Sequence, residues 1–188
     1  GGMEAQNESG SAALNQKPSV MQPSMLKAAG DYWMPEQAAE SYAGGTGTEA
    51  DPYQIATPEQ FIKLCNETPV DGSIGKGIYF KQTADIDFSA LNSDMVHVGL
   101  SAPFAGVYDG GNFTIKGIRI NQDVEGETTD AALPVSLFIY TEDATIKNLS
   151  LEDIQISYSY NILLNSNIAG GMLVYDATNT VIENCHVN

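Results

Sequence analysis

Three copies of one short pattern constrain this chain more than any other feature of its sequence. Thr114-Ile115-Lys116-Gly117-Ile118-Arg119-Ile120 returns as Thr145-Ile146-Lys147-Asn148-Leu149-Ser150-Leu151, and again as Val181-Ile182-Glu183-Asn184-Cys185-His186-Val187, at spacings of 31 and 36 residues. Each copy follows a short apolar strand carrying a tyrosine: Gly106-Val107-Tyr108, Leu137-Phe138-Ile139-Tyr140 and Met172-Leu173-Val174-Tyr175. The variable length falls in polar inserts, Asn121 to Ala132 and Ser157 to Asn167. A strand pair with one apolar face cannot bury that face alone, whereas stacked copies build a continuous core and tolerate insertions between constant strands. Parallel stacking would set Ile115, Ile146 and Ile182 in one column and Ile118, Leu149 and Cys185 in the next. Gly117, Asn148 and Asn184 then share a turn position, where stacked asparagines form hydrogen-bonded ladders.

The residues before this array divide in two. Residues 1–43 are polar and patternless around Glu4 to Ser11, and prolines break Lys17 to Ser24. Such composition buries too little apolar surface to offset the entropy of ordering it. This region reads as a tail, with Asp31-Tyr32-Trp33-Met34 and a short helix from Pro35 to Tyr42 as its structured elements. A folded region, 44–188, opens at Gly44-Gly45-Thr46-Gly47-Thr48 and runs into a short strand ending at Ile55. Thr57-Pro58-Glu59-Gln60 is a helix start: Thr57 caps, Pro58 suits the first helical position, and Gln60 completes a capping box. Phe61, Leu64 and Cys65 fall on one face of that helix, which is too short to stand alone and must cover something apolar. From Ile78 to Phe88 the residues alternate, with Ile78, Phe80, Ala84, Ile86 and Phe88 on one side. Tyr79, Lys81, Thr83, Asp85 and Asp87 lie on the other.

Charge narrows the partners. With 24 acidic against 8 basic residues, the formal charge is −16. Such a surface repels nucleic acid and anionic membranes. No apolar run reaches the roughly 20 residues that span a bilayer. Cys65 and Cys185 are too few for a disulfide framework, and two packed thiols are expected instead. His97 and His186 have no partners at ligand spacing, so no zinc site is expected.

These residues resemble the GLUG-type repeat family of bacterial surface proteins, which are right-handed parallel β-helices. The likeness runs from Gly45 to Val187. It covers the opening Gly45-Thr46-Gly47-Thr48-Glu49-Ala50-Asp51-Pro52-Tyr53-Gln54-Ile55, then Asp85-Ile86-Asp87-Phe88, then Pro103 to Ile115, and finally Gly170-Gly171-Met172-Leu173-Val174-Tyr175 with Ile182 to Val187. The family's Gly-Leu-Phe-Gly stands here as Ser136-Leu137-Phe138-Ile139. The resemblance implies an all-β fold, a right-handed parallel β-helix whose first rung is capped by the helix Thr57 to Asn66. It also implies an extracellular stalk or adhesin-like module, without transferable catalytic residues, that presents a flank to glycan or to a host or cell-surface protein. The last repeat ends directly after a strand, so further rungs or domains are expected beyond it.

Asp85, Asp87 and Asp109 are the candidate catalytic carboxylates, because clustered acids on such a scaffold can serve as acid and base in glycoside hydrolysis or hold calcium. Both Asp85-Ile86-Asp87 and Asp109-Gly110-Gly111-Asn112 also suit turns in which aspartate accepts backbone N–H groups, and that reading is preferred. A lyase would need a basic residue, for which Lys116 and Arg119 are the candidates; solvated charges are the simpler expectation. Asp123, Glu125, Glu127 and Asp130 match no calcium-loop spacing. Tyr158 and Tyr160 share a strand face and are the candidate sugar-stacking pair. No phosphate loop, dinucleotide fingerprint, zinc-protease helix or nucleophile set is present. A non-catalytic binding or spacer module without cofactor is therefore expected, with a polysaccharide-degrading enzyme as the alternative.

Overall fold

The computed structural model describes residues 37–91, 93, 96–122, 136–158 and 173–188. Trp33 with the rest of segment 1–36, the acidic insert Asp123 to Asp130, and Tyr160 lie outside the described residues. Strand β1 (Tyr53–Ile55) leads through helix α1 (Pro58–Cys65) to β2 (Tyr79–Gln82) and β3 (Ile86–Asp87). A long strand β4 (Val107–Lys116) and β5 (Arg119–Gln122) follow, then β6 (Phe138–Glu142), β7 (Thr145–Glu152) and β8 (Gln155–Tyr158). The chain closes with β9 (Val174–Thr178), β10 (Val181–Glu183) and β11 (His186–Val187). The described residues are mostly strand, with little helix.

Every ladder between these strands is parallel. The main sheet runs β10-β7-β4-β2-β1, with β11 also on β7 and β3 also on β4; β9-β6 and β5-β8 form two further sheets. The last strands of the three sheets lie over partners 36 residues earlier (Val174 opposite Phe138, Val181 opposite Thr145, Gln155 opposite Arg119), while the earlier pairs of the main sheet stand at other intervals, from 27 (Tyr53 to Phe80) to 38 (Val107 to Thr145). Parallel strands cannot be joined by tight hairpins. The connections here must therefore return the chain to the same end of the sheet between pairings.

The columns differ from those expected by sequence matching where β4 takes part, and Leu149 lies opposite Phe113 rather than Ile118. Ile182 lies opposite Ile146, but Ile146 lies opposite Tyr108, while Ile115 lies opposite Leu151. Val107–Lys116 is one strand rather than two, and its register on β7 shifts by two residues between Asp109 and Phe113, around Gly110 and Gly111. In the register observed, Asn112 rather than Gly117 takes the turn column with Asn148 and Asn184. Asn184 Nδ2 donates to Asn148 Oδ1 at 2.8 Å and to Asn112 Oδ1 at 3.2 Å, so the ladder exists with a different first member. All three asparagines have positive φ (67°, 57° and 53°), a region that asparagine enters more readily than other side chains.

The core follows these columns. Phe80, Tyr108 and Ile146 succeed one another in register, as do Ile86, Ile115 and Leu151, and all six are buried. Helix α1 begins as expected: Thr57 Oγ1 accepts from Gln60 N at 3.2 Å. Gln60 Oε1 reaches back to Ala56 N at 2.7 Å, one residue before the cap. Its buried face is Phe61, Ile62 and Leu64, with Cys65 only partly covered. Phe61 packs edge-on between Phe88 and Tyr108, with ring centroids 6.2 and 5.8 Å away. This is the apolar surface the helix covers. The outer edge of β1 is closed by Gly44, whose carbonyl accepts from Gln54 N at 2.8 Å in an antiparallel bridge. Gly45 beside it has φ 91°, and a Cβ there would fall 1.8 Å from the Pro52 carbonyl oxygen, so only glycine fits. At the opposite edge, Val181, Ile182 and Val187 are 51%, 44% and 40% exposed.

Candidate functional site

The alternation read between Ile78 and Phe88 is present, with Phe80, Ile86 and Phe88 buried and Lys81, Thr83, Asp85 and Asp87 exposed. It turns the candidate carboxylates to the outer surface, where each is engaged by main chain. Asp85 Oδ1 accepts from Thr114 N at 3.0 Å, and Asp87 Oδ1 accepts from Ser89 N at 2.9 Å. Asp109 Oδ1 accepts from Gly111 N at 2.9 Å and from Asn148 Nδ2 at 3.0 Å. The Ser89 amide and hydroxyl, followed by Lys116 and Arg119, hold the Asp87 carboxyl below the usual carboxylate range. A general acid needs the opposite shift. In register, moreover, Asp109 faces Lys81 and Lys147, and Asp87 faces Lys116, so neither opposes another carboxylate.

The basic candidates are likewise occupied. Arg119 Nη2 pairs with Asp153 Oδ2 at 2.8 Å, and Nη1 donates to the carbonyls of Asp153 (2.6 Å) and Ile118 (3.1 Å). Lys116 lies between Asp87 and Glu152 in register. Tyr158 ends β8 with its backbone opposite Gln122, and its proposed partner Tyr160 is beyond the described residues.

Two features escaped the sequence reading. One is a buried polar node. Gln82 is fully buried, donates through Nε2 to the carbonyls of Ala84 (2.9 Å) and Thr114 (3.1 Å), and accepts from Tyr108 Oη at 2.8 Å. Its inward parity with Phe80 and Ala84 was a signal for its burial, but two of its three partners, Thr114 and Tyr108, come from β4. The other is a cavity of about 200 Å³ at the end of α1, lined by residues that include Cys65, Asn66, Ile74, His97 and Leu100. His97 is buried and its Nδ1 lies 2.6 Å from the Ser136 carbonyl oxygen, which requires the proton on Nδ1. Desolvation holds its pKa below the ordinary histidine value, and desolvation also pushes the Cys65 thiol up. A neutral imidazole beside an un-ionised thiol is not an activated nucleophile pair. Cys65 and Cys185 are free thiols. Among the described residues, no group of three His, Cys, Asp or Glu side chains could hold a metal ion. No helix among them is long and apolar enough to cross a membrane.

The described residues are thus mostly strands in parallel sheets with little helix, as in an all-β fold. No family model, curated protein or solved structure matches this chain.

Proposed function

We propose that this chain is a non-catalytic surface module of the GLUG-repeat type, built as a right-handed parallel β-helix and acting outside the cell. Its role is to project and present a flank to glycan or to a protein on another surface. The observation that carries this reading is the use made of the outer carboxylates. Asp85, Asp87 and Asp109 each hold a backbone N–H, and the two that pair in register face lysines. Groups committed in this way stiffen turns; a hydrolase instead needs two carboxyls converging across an open groove, about 5 to 9.5 Å apart. The interval of 36 residues shared by the last strands of the three sheets supports a coiled path in which each turn of chain rests on the last.

The experiment has two arms on the purified chain. A panel of neutral and acidic polysaccharides is incubated with it and product release followed by chromatography; a glycan array and a panel of host surface proteins are probed in parallel. Retention without product is the expected result. Product from any polysaccharide, abolished by Asp85→Asn, Asp87→Asn or Asp109→Asn, would replace this reading with a polysaccharide-degrading enzyme.

A further inference from the structure

The cavity at the end of α1 is walled by three segments that backbone bonds hold in place. Asn66 ends the helix with its own backbone N–H, which donates to the Ile62 and Lys63 carbonyls at 3.0 and 3.1 Å. Capping therefore leaves its side chain uncommitted. Past it, Val70 N donates to Ser73 O at 2.8 Å and Ser73 N to Val70 O at 3.2 Å, around a turn made by Asp71 (φ 53°) and Gly72 (φ 83°). Ile74 N then donates to Pro103 O at 2.8 Å. On the far side, Val98 N donates to Leu137 O and Ile139 N to Val98 O, both at 2.8 Å, which fixes the backbone between His97 and Leu100. A site held in this way loses little freedom when it is filled.

The lining sets one unpaired donor among apolar walls. Asn66 Nδ2 is buried and has no hydrogen-bond partner among the described residues. Leaving such a donor unanswered costs about 1–3 kcal/mol. Ile74, in the core, and Leu100, packed against it, supply the apolar surface. His97 donates through Nδ1 to Ser136, so its second ring nitrogen is an acceptor. The one carboxylate of the lining, on Glu67, is already engaged by Tyr42 Oη and by Lys63 Nζ at 3.6 Å. Burial keeps the His97 ring and the Cys65 thiol neutral at pH 7, and the same desolvation penalises a charged ligand. The volume of about 200 Å³ exceeds the roughly 150 Å³ of an apolar cavity that holds benzene, which leaves room for one polar substituent. We propose that this cavity binds a small neutral carboxamide with a ring-sized apolar body. Its carbonyl accepts from Asn66 Nδ2, its N–H group suits the acceptor nitrogen of a lining histidine, and its body lies against Ile74 and Leu100. The proposal is independent of what the outer flank binds.

The probe is benzamide, with toluene as the body lacking a carbonyl and benzoate as the isosteric anion. Titrations are followed by two-dimensional amide NMR of the full isotope-labelled chain. Benzamide is expected to shift the Asn66 side-chain amide and the backbone amides of 66–74 and 97–100 saturably. It should bind about tenfold tighter than toluene, as a hydrogen bond to a donor otherwise left unpaired implies. Benzoate is expected to bind no better than toluene. In Asn66→Ala, whose backbone φ of −100° suits alanine, the benzamide advantage is expected to vanish while the urea midpoint holds. Leu100→Trp, which fills the cavity, should abolish binding of benzamide and toluene alike. Benzamide no tighter than toluene, an advantage that survives Asn66→Ala, benzoate tighter than benzamide, or binding that persists in a folded Leu100→Trp chain would overturn the proposal. So would the absence of any saturable shift at the solubility limit of benzamide, which would assign the cavity to water.

Discussion

At the residue scale, the groups that matter most are polar and inside. Tyr108 and Gln82 satisfy one another in the core, so Tyr108→Phe leaves the Gln82 carbonyl oxygen buried without a donor. The expected cost is about 1–3 kcal/mol, measured by urea unfolding at neutral pH. A loss well under that range would mean that water reaches the node. His97 adds a pH dependence whose sign is set by its depressed pKa. Below pH ~6.5, the ordinary value, the unfolded chain takes up a proton that the folded chain resists. The His97 contribution is therefore fully present above that pH and is lost as pH falls toward the folded value. The urea midpoint of the native chain should drop from pH 7 to 5 relative to that of His97→Gln; parallel curves would show that His97 titrates alike in both states. Gly117 shows a different residue-level constraint: φ is 79°, and a Cβ would lie 2.7 Å from Asp87 Oδ1, so the turn that uses the carboxylate also requires the glycine.

At the scale of elements, α1 was legible because its start signals are local. Thr57, Pro58 and Gln60 act within one turn of each other, and Thr57→Ala should cost about 1 kcal/mol of stability, seen as a lower urea midpoint with unchanged slope. A change in slope as well would indicate that the helix detaches before the sheet unfolds. Strand β4 was less legible. Its two glycines, 110 and 111, read as a turn between two strands, yet they are absorbed within one strand by a register shift. Gly111 and Asn112 do turn through positive φ, but the neighbouring strand pairs with β4 up to Asp109 and again from Phe113, which no local propensity reports. The asparagine column survived this change because the positive-φ positions of Asn112, Asn148 and Asn184 are set by their own short side chains.

At the scale of the whole molecule, the same register that stacks the core also sorts the charges. A Lys147→Glu substitution would place a carboxylate between Asp109 and Glu183, so that three acidic side chains follow one another and two attractive pairs become repulsive. A loss of about 1–2 kcal/mol is expected at low salt. It should shrink toward zero in about 1 M salt, where the screening length is about 3 Å. A loss that persists unchanged in salt would point to packing of the lysine stem instead. Against a formal charge of −16, Lys116 and Lys147 sit where they separate acidic side chains that would otherwise repel.

The sequence alone determined the predominance of strand, the inward and outward parity of Ile78 to Phe88, and the start of helix α1. Those properties depend on side-chain alternation and on caps a few residues apart, which short-range sterics decide. Only the tertiary structure decided which copy lies over which residue, that Ile115 meets Leu151, that Lys147 stands between Asp109 and Glu183, and that His97 finds the Ser136 carbonyl. The physical reason is that register between distant strands depends on how many residues each connection absorbs. Around the two glycines of β4, the register on β7 changes by two residues within a single strand.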